Sequence, residues 1–149
     1  MTRTGLHKHP GGCHCGNIRV VAELTTTAPE TTVRACPCTF CRAHGARTAS
    51  DPQGSLKVWA QDWTLVTRYR NGTQTADFLI CQKCGVFVAA VIAGEAGPMG
   101  VVNVNALTDQ HLFTKAPVSL DIGKEDGEDA VAYRLRRRAA TWMPAILHT

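Results

Sequence analysis

The seven cysteines of this chain fall into three short clusters, and no other feature limits the possible folds as strongly. The clusters are Cys13-His14-Cys15, Cys36-Pro37-Cys38-Thr39-Phe40-Cys41 and Cys81-Gln82-Lys83-Cys84. Residues i and i+2 of an extended segment point to the same side, so two sulfurs spaced in this way can reach one ion. Thiolates gathered in short motifs are the ligands that zinc selects. The pattern therefore predicts a zinc protein.

Disulfide bonds and a thiol redox pair explain the cysteines less well. No stretch has the pattern of a signal peptide, and an odd number of cysteines would leave one thiol over. A thioredoxin-like C-x-x-C would leave the other five cysteines without a role. We therefore expect reduced cysteines and a cytoplasmic protein.

Seven ligands divide naturally into four and three. A structural zinc site takes four protein ligands, whereas a catalytic site usually takes three and keeps one position open. Cys36, Cys38 and Cys41 are the local group of three and hence the candidate open site. His44 lies three residues after Cys41 and is the alternative, because it could complete that site as a fourth ligand and make it structural.

The cysteine clusters and the residues beside them resemble a known family. The matching strings are Gly11-Gly12-Cys13-His14-Cys15-Gly16, the C-x-C-x-x-C cluster followed by Arg42, Gly45 and Ala46, and Cys81-x-x-Cys84-Gly85. They resemble the glutathione-dependent formaldehyde-activating enzyme family, also called the centromere protein V family. The resemblance covers roughly residues 10–115.

This resemblance implies a mainly β, Mss4-like zinc-binding fold of small antiparallel sheets and two zinc ions per chain. It implies a structural zinc on Cys13, Cys15, Cys81 and Cys84, and a second, catalytic-type zinc on Cys36, Cys38 and Cys41. It also implies a carbon–sulfur lyase acting on an adduct of glutathione, or another thiol, with an aldehyde, such as S-hydroxymethylglutathione. It assigns no catalytic proton-transfer residue.

Two further interpretations of these residues are open. The chain could be a non-catalytic zinc module that binds glutathione, another small ligand or a protein, since fold does not fix function. Arg42 could bind a carboxylate of glutathione, or it could be a surface arginine beside a negatively charged thiolate cluster.

Length and charge limit the organisation and the partners. We expect one domain over residues 1–149, with a core of about 10–115 and a C-terminal extension of 116–149. The formal net charge of +4 falls to about +1 once seven thiolates and two zinc ions are counted, so it is a weak argument for nucleic acid. The longest apolar run, residues 86–93, is too short to cross a bilayer. We expect a small-molecule substrate, no nucleic acid and no membrane, and we leave homo-oligomerisation open.

Apolar and β-branched runs between turn residues predict most of the secondary structure as strands. The predicted strands are residues 17–24, 33–38, 56–60, 63–70, 75–80, 85–93 and 101–107. Residues 25–32 are predicted to form a hairpin turn between the first two strands, Asn71-Gly72 a second hairpin turn, and residues 94–100 a loop. Asn103 and Asn105 alternate with apolar residues, which indicates a polar sheet face rather than a polar site.

The remaining segments are predicted as follows. Residues 1–10 are expected to form a loose polar arm in which His7 and His9 are solvated rather than bound to metal. Residues 39–48 are expected to form a turn or a single helical turn. Residues 125–140 are predicted to form a C-terminal helix, because acidic residues precede basic ones along it. Its arginines could contact phosphate, although favourable interaction with the helix C-terminus explains them without a partner.

Overall fold

The computed structural model describes residues 5–36, 39–70, 76–94, 97–119, 138 and 141–149, and within them the protein is mainly β, as predicted. The strands are β1 (His7–Gly12), β2 (Ile18–Leu24), β3 (Arg34–Ala35), β4 (Thr48–Ala49), β5 (Ser55–Ala60), β6 (Val66–Tyr69), β7 (Asp77–Cys81), β8 (Phe87–Gly94), β9 (Gly97–Asn103), β10 (Val118–Ser119) and β11 (Met143–His148). The α-helix α1 covers Thr39–His44, and short 3₁₀ helices cover Ala28–Glu30, Trp63–Leu65, Val104–Ala106 and Gln110–Leu112.

The strands form a branched, mostly antiparallel sheet with two arms. The first arm has the order β1-β2-β5-β11, and the second has the order β6-β7-β8-β9, continued from β9 through β4 and β3 to β10. Strand β11 joins the arms, because Met143 and Pro144 pair with β9 and the following residues pair with β5 in parallel. Four antiparallel pairs of consecutive strands in the described residues, β1–β2, β6–β7, β7–β8 and β8–β9, supply much of the pairing.

The main core is built by alternation along the strands of both arms. Apolar residues that point to one face are buried in a single cluster, as expected for half-buried strands with a period of two. The first arm contributes Ile18, Val20, Ala22, Leu24, Leu56 and Val58, and the second contributes Leu79, Ala89, Val91 and Val102. In the first arm this alternation fixes the strand register, since a slip by one residue would move these side chains to the opposite, partly exposed face.

A second apolar cluster covers the other face of the second arm. Phe78, Ala90 and Val101 each neighbour a residue of the main core in sequence, so their side chains point away from that core. Cys41 of α1 and Ala46 are buried against them, and Cys36 and Phe40 pack there partly buried. Helix α1 therefore lies on the outer face of the second arm, which confirms the predicted helical turn and extends it to six residues.

The N-terminal residues differ from the predicted loose arm. His7–Gly12 forms the edge strand β1, and all six residues pair with β2. His9 is buried, with 4% of its surface exposed, so the prediction that it is solvated was wrong. Strand pairing overrides the low β propensity of this glycine- and proline-containing segment, and Pro10 is tolerated because the strand is at an edge.

Other predicted connections were also wrong. Residues 25–32 do not form a hairpin, because β2 pairs with β1 and β5 whereas β3 pairs with β4 and β10. The predicted loop 94–100 contains the start of β9, which pairs with β8 from Gly97 onwards. The predicted strands 63–70 and 101–107 are each shortened by a 3₁₀ turn.

The C-terminal part contains a strand that the sequence analysis did not identify. Strand β11 lies within the predicted extension, and Trp63 Nε1 donates a hydrogen bond to the carbonyl oxygen of His148 at 2.8 Å. The predicted helix at residues 125–140 lies outside the described residues except for Arg138, whose guanidinium lies 4.9 Å from the ring centre of Trp142. Asn71-Gly72 also lies outside them, although β6 and β7 pair as that hairpin requires. None of the helices in the described residues is long and apolar enough to cross a bilayer.

Candidate metal centre

Two hairpin turns, one from each arm of the sheet, bring four cysteines together. Cys13 and Cys15 lie in the turn between β1 and β2, because the last pair of that hairpin joins Gly12 to Arg19. Cys81 ends β7, and Cys84 lies in the turn that leads to β8. The sulfurs of these four residues all lie within 4.8 Å of one another. The structure thus brings together the four cysteines to which the resemblance assigns the structural zinc.

The distances between the sulfurs fit a shared metal ion. The sulfur of Cys15 lies 3.7 Å from that of Cys13 and 3.5 Å from that of Cys81. A disulfide would require about 2.05 Å, whereas tetrahedral zinc with bonds of about 2.3 Å places its sulfurs about 3.8 Å apart. Both the donor chemistry and the spacing therefore fit zinc.

Each turn has the same local construction. A glycine follows the second cysteine of each pair, and both glycines have positive φ angles, 88° at Gly16 and 79° at Gly85. Residues with a Cβ rarely adopt this backbone conformation, so the glycine allows the backbone of each turn to fold back under the sulfurs. The Gly85 amide donates to the carbonyl oxygen of Cys81 at 2.8 Å, and the Ile18 amide donates to the Cys13 sulfur at 3.2 Å.

The environment shifts the thiol pKa values in opposite directions. Burial is the main cause that raises the pKa of Cys13 to about 11, and the neighbouring thiols add to it. Burial also acts to raise the pKa of Cys84, but hydrogen bonds to its sulfur from the backbone amides of Cys15 and Val86 and from two thiols bring it down to about 6. Amides aimed at a sulfur favour its thiolate form, which is the form that binds metal.

This arrangement is suited to a structural role. Four thiolates fill a tetrahedral site and leave no position for a substrate. Cys13 and Cys81 are buried and belong to the main core. A metal ion held here would connect the β1–β2 turn to the β7–β8 turn and hold the two arms of the sheet together.

The remaining cysteine cluster lies elsewhere in the fold. Cys36 follows β3 and is half-buried, Cys41 lies in α1 and is buried, and Cys38 lies outside the described residues. Cys36 and Cys41 pack with the outer apolar cluster, whereas Cys13 and Cys81 pack with the main core. The two cysteine groups are therefore on different faces of the second arm.

Aromatic side chains surround Phe40, which lies between Cys38 and Cys41 in the sequence. Its ring centre lies 4.5 Å from that of His44, 4.7 Å from Phe78, 5.2 Å from Phe87 and 5.5 Å from Tyr69. The sequence analysis missed this group, because residues 69, 78 and 87 become neighbours only through the pairing of β6, β7 and β8. Knowledge of that pairing would have been needed to identify it.

The other predicted site residues have simple surroundings. Arg42 is exposed on α1. Asn103 is buried and donates to the carbonyl oxygen of Phe87 at 2.9 Å, while Asn105 accepts from Arg47 Nε at 2.8 Å and donates to the carbonyl oxygen of Gly45. These bonds give both asparagines a structural role in joining segments. Asn105 lies in the 3₁₀ helix after β9 and Asn103 is buried, so the two do not form the predicted polar sheet face.

One buried polar pair was not identified from the sequence. His9 Nδ1 donates to Asp109 Oδ2 at 2.9 Å, and the His9 ring contacts Phe113 at 5.0 Å between ring centres. His9 Nε2 and Asp109 Oδ1 are buried without a hydrogen-bond partner. The two residues are 100 positions apart in the sequence, so no local pattern could have paired them.

Comparison with known proteins agrees with the structure. A protein from Rhodobacter sphaeroides with a known crystal structure shares 28% sequence identity and superposes with a TM-score of 0.57, covering 74% of this chain and 99% of that one. The sequence profile of the family described as "Glutathione-dependent formaldehyde-activating enzyme" matches residues 8–119, which include all seven cysteines. The chain therefore belongs to the glutathione-dependent formaldehyde-activating enzyme family.

Proposed function

We propose that this protein is a zinc-dependent enzyme that forms or cleaves the carbon–sulfur bond between glutathione, or another thiol, and an aldehyde. S-hydroxymethylglutathione is the simplest such adduct. The observation that carries the proposal is the separation of the cysteines in a chain of this family: four converge at the hairpin turns, while Cys36 and Cys41, the sequence neighbours of Cys38, pack in a separate apolar cluster.

In this proposal the two groups have different roles. Cys13, Cys15, Cys81 and Cys84 hold a structural zinc, and Cys36, Cys38 and Cys41 hold a second zinc with an open position. Zinc at that position lowers the pKa of a bound thiol or polarises a carbonyl oxygen. The donor set of three thiolates is the chemistry that zinc prefers, and the position of Cys36 and Cys41 in one apolar cluster supports a dry site.

The chain's own residues bind and orient the substrate. Arg42 is exposed one residue after Cys41, so its guanidinium is available to pair with a carboxylate of glutathione. The apolar cluster under Cys41 excludes water from one side of the reacting carbon, which strengthens every electrostatic interaction there. These contacts hold the thiol and the aldehyde together, so that the addition becomes effectively unimolecular.

The reaction itself balances without a further reactant. In the forward direction the thiolate sulfur attacks the carbonyl carbon, the C–S bond forms, and the carbonyl π electrons move to oxygen, which takes up a proton. In the reverse direction the hydroxyl loses that proton, the carbonyl re-forms, and the C–S bond breaks to release the thiolate. No oxidant or reductant is needed in either direction.

Turnover at equilibrium tests the proposal directly. Exchange NMR can measure the rate at which glutathione, formaldehyde and their adduct interconvert, with and without the purified zinc-loaded protein. Because thiols add to formaldehyde spontaneously, the protein-free rate is the necessary baseline. We expect a faster exchange rate that depends linearly on protein concentration and returns to the baseline in Cys36→Ala.

The opposite results would favour the alternative function. An exchange rate equal to the protein-free rate, with glutathione still bound, would indicate a non-catalytic zinc module. A Cys36→Ala protein that keeps the full rate would show that the second cysteine group is not the reaction site.

A further inference from the structure

The aromatic group around Phe40 has a closed side and an open side. Phe78 and Phe87 are buried, with 7% and 2% of their surfaces exposed, and they form the closed side against the second arm. Tyr69 is 45% exposed and lies nearly parallel to the Phe40 ring, with 27° between the planes. His44 is also exposed, and its ring contacts Phe40 from the helix side.

The aromatic group around Phe40 draws its rings from several strands. Three neighbouring strands each contribute one ring that contacts the Phe40 ring, namely Tyr69 from β6, Phe78 from β7 and Phe87 from β8. Large aromatic residues normally bury most of their area, so a ring that is nearly half exposed beside another ring provides a surface for a further planar or apolar group. We name Phe40, His44 and Tyr69 the aromatic surface.

The aromatic surface is next to the proposed reaction site. Phe40 immediately precedes Cys41 in sequence, and His44 lies one helical turn after Cys41. Phe40, Cys36 and Cys41 pack in the same apolar cluster. The aromatic surface is therefore available to a group attached to the carbon that reacts at these cysteines.

We propose that the aromatic surface binds the aldehyde-derived part of the adduct, so that the preferred substrates carry an aromatic or bulky apolar group. This inference rests on the proposed function and names its substrate class. A formaldehyde adduct offers a single carbon, which cannot cover Phe40 and Tyr69. A benzyl-sized group can pack against the exposed parts of these rings, and such a contact is worth roughly a fivefold to tenfold gain in affinity.

Non-reactive thioethers allow the inference to be tested by binding alone. S-benzylglutathione and S-methylglutathione share the glutathione part and differ only in the group that would meet the aromatic surface. Isothermal titration calorimetry on the zinc-loaded protein should show that S-benzylglutathione binds about tenfold more tightly than S-methylglutathione. In Tyr69→Ala this preference should fall to about twofold, while the affinity for S-methylglutathione stays within about twofold.

Matched variants separate stacking from other causes. Tyr69→Phe keeps the ring and removes the hydroxyl, so it should retain the preference. Phe40→Leu keeps apolar volume without the ring, so it should reduce the preference if the protein folds, which circular dichroism checks. Trp59→Ala is the control, because Trp59 is also an exposed aromatic residue (37%) stacked on a histidine, but it lies on β5 in the other arm.

The outcomes are distinct for the two proposals. Equal affinity for the two thioethers, no binding of either, or a loss of preference in Trp59→Ala as large as in Tyr69→Ala would overturn the inference. If S-benzylglutathione is preferred through Tyr69 but no adduct exchanges faster than in buffer, the aromatic surface is established and the enzymatic proposal fails. If formaldehyde exchange is accelerated while the two thioethers bind equally, the enzyme stands and the substrate class is wrong.

Discussion

Cys84 is a cysteine of the four-cysteine centre whose pKa its surroundings lower. Its thiolate is favoured by amide hydrogen bonds, and its position in the β7–β8 turn opposite Cys15 links the two arms. A serine at this position keeps the size of the side chain but supplies a hydroxyl, which is a poor zinc ligand at neutral pH. We therefore expect Cys84→Ser to lose the zinc of this site.

The loss should extend to folding. Binding of a structural zinc contributes about 10–16 kcal/mol in small zinc domains, whereas a whole domain is stable by about 5–15 kcal/mol. The variant should therefore be largely unfolded or aggregated at 25 °C by circular dichroism and gel filtration. Lys83→Ala changes an exposed residue of the same turn and should keep the zinc and the melting temperature. A Cys84→Ser protein that is monodisperse and melts like the wild type would refute the structural assignment.

His44 should not be a zinc ligand. Its ring packs on Phe40 and lies 5.8 Å from the ring centre of Phe87, so aromatic packing accounts for its position without a metal. We expect His44→Ala to retain two zinc ions per chain by elemental analysis. Loss of one equivalent would instead indicate a site of three cysteines and one histidine, which would be closed and structural.

At the residue scale, the sequence predicts best where the chemistry is local. The three cysteine clusters and their glycines are recognisable because the ligand pairs lie two or three residues apart. Tyr69 and Asp109 could not be identified in this way, because their partners Phe40 and His9 are distant in sequence. The solvation of His9 was mispredicted for the same reason, since burial of an edge strand depends on what packs over it.

Among the elements, the segment after β9 receives several hydrogen bonds from one side chain, Arg47. Arg47 precedes β4, and its guanidinium donates to Asn105 Oδ1 at 2.8 Å, to Gln110 Oε1 at 3.0 Å and to the carbonyl oxygen of Phe113 at 3.1 Å. Lysine keeps the charge but lacks the planar fork of donors. We expect Arg47→Lys to lower the free energy of unfolding by about 1–2 kcal/mol, because these contacts are partly exposed.

Urea unfolding measures this change as a lower midpoint with an unchanged m-value. Arg42→Lys is the matched control, since Arg42 is exposed on the neighbouring helix. The free energy of unfolding of this variant should stay within about 0.5 kcal/mol of the wild-type value. Equal midpoints for Arg47→Lys and the wild type would show that the bonds of Arg47 contribute nothing to stability.

At the element scale, the presence and bounds of several strands were predictable, but the partners with which they pair were not. The apolar alternation in β2 and β5 and the apolar run in β7 are visible in the sequence, and these strands occur close to the predicted bounds. The predicted hairpin at residues 25–32 failed because proximity in sequence does not decide which edges pair; β2 pairs with β5, some thirty residues further on. Strand β11 was missed although Met143, Ala145 and Leu147 alternate towards the core, because Pro144 weakens its strand pattern and its partners β9 and β5 are distant in sequence.

At the scale of the whole molecule, one cysteine group lies between the two arms of the sheet and the other lies on the outer face of one arm. A metal ion in the four-cysteine centre would join the β1–β2 turn to the β7–β8 turn, and its removal would break one of the links between the two arms, which β11 and the main core also connect. Cys36 and Cys41 lie on the outer face of the second arm, beside the short helix α1. A metal ion bound there would hold one local segment, and the strand pairing of the two arms would not depend on it.

This difference predicts that the two proposed zinc ions leave the protein separately. Three ligands hold metal less tightly than four, so mild chelation should remove about one of two zinc ions while circular dichroism stays unchanged. Cobalt substituted at the emptied position reports its coordination by its visible spectrum. Glutathione should change that spectrum as a thiolate replaces water, and Cys38→Ala should abolish the response.

The control is the four-cysteine centre itself, because its metal should leave only as the protein unfolds. The sequence of events during a chelator titration therefore decides between the two functional classes. If both zinc ions leave together on unfolding, and the cobalt spectrum is indifferent to glutathione, both sites are closed and the protein is a structural zinc module. If one ion leaves first and its replacement responds to glutathione, the second site has the open position that addition of a thiol to an aldehyde requires.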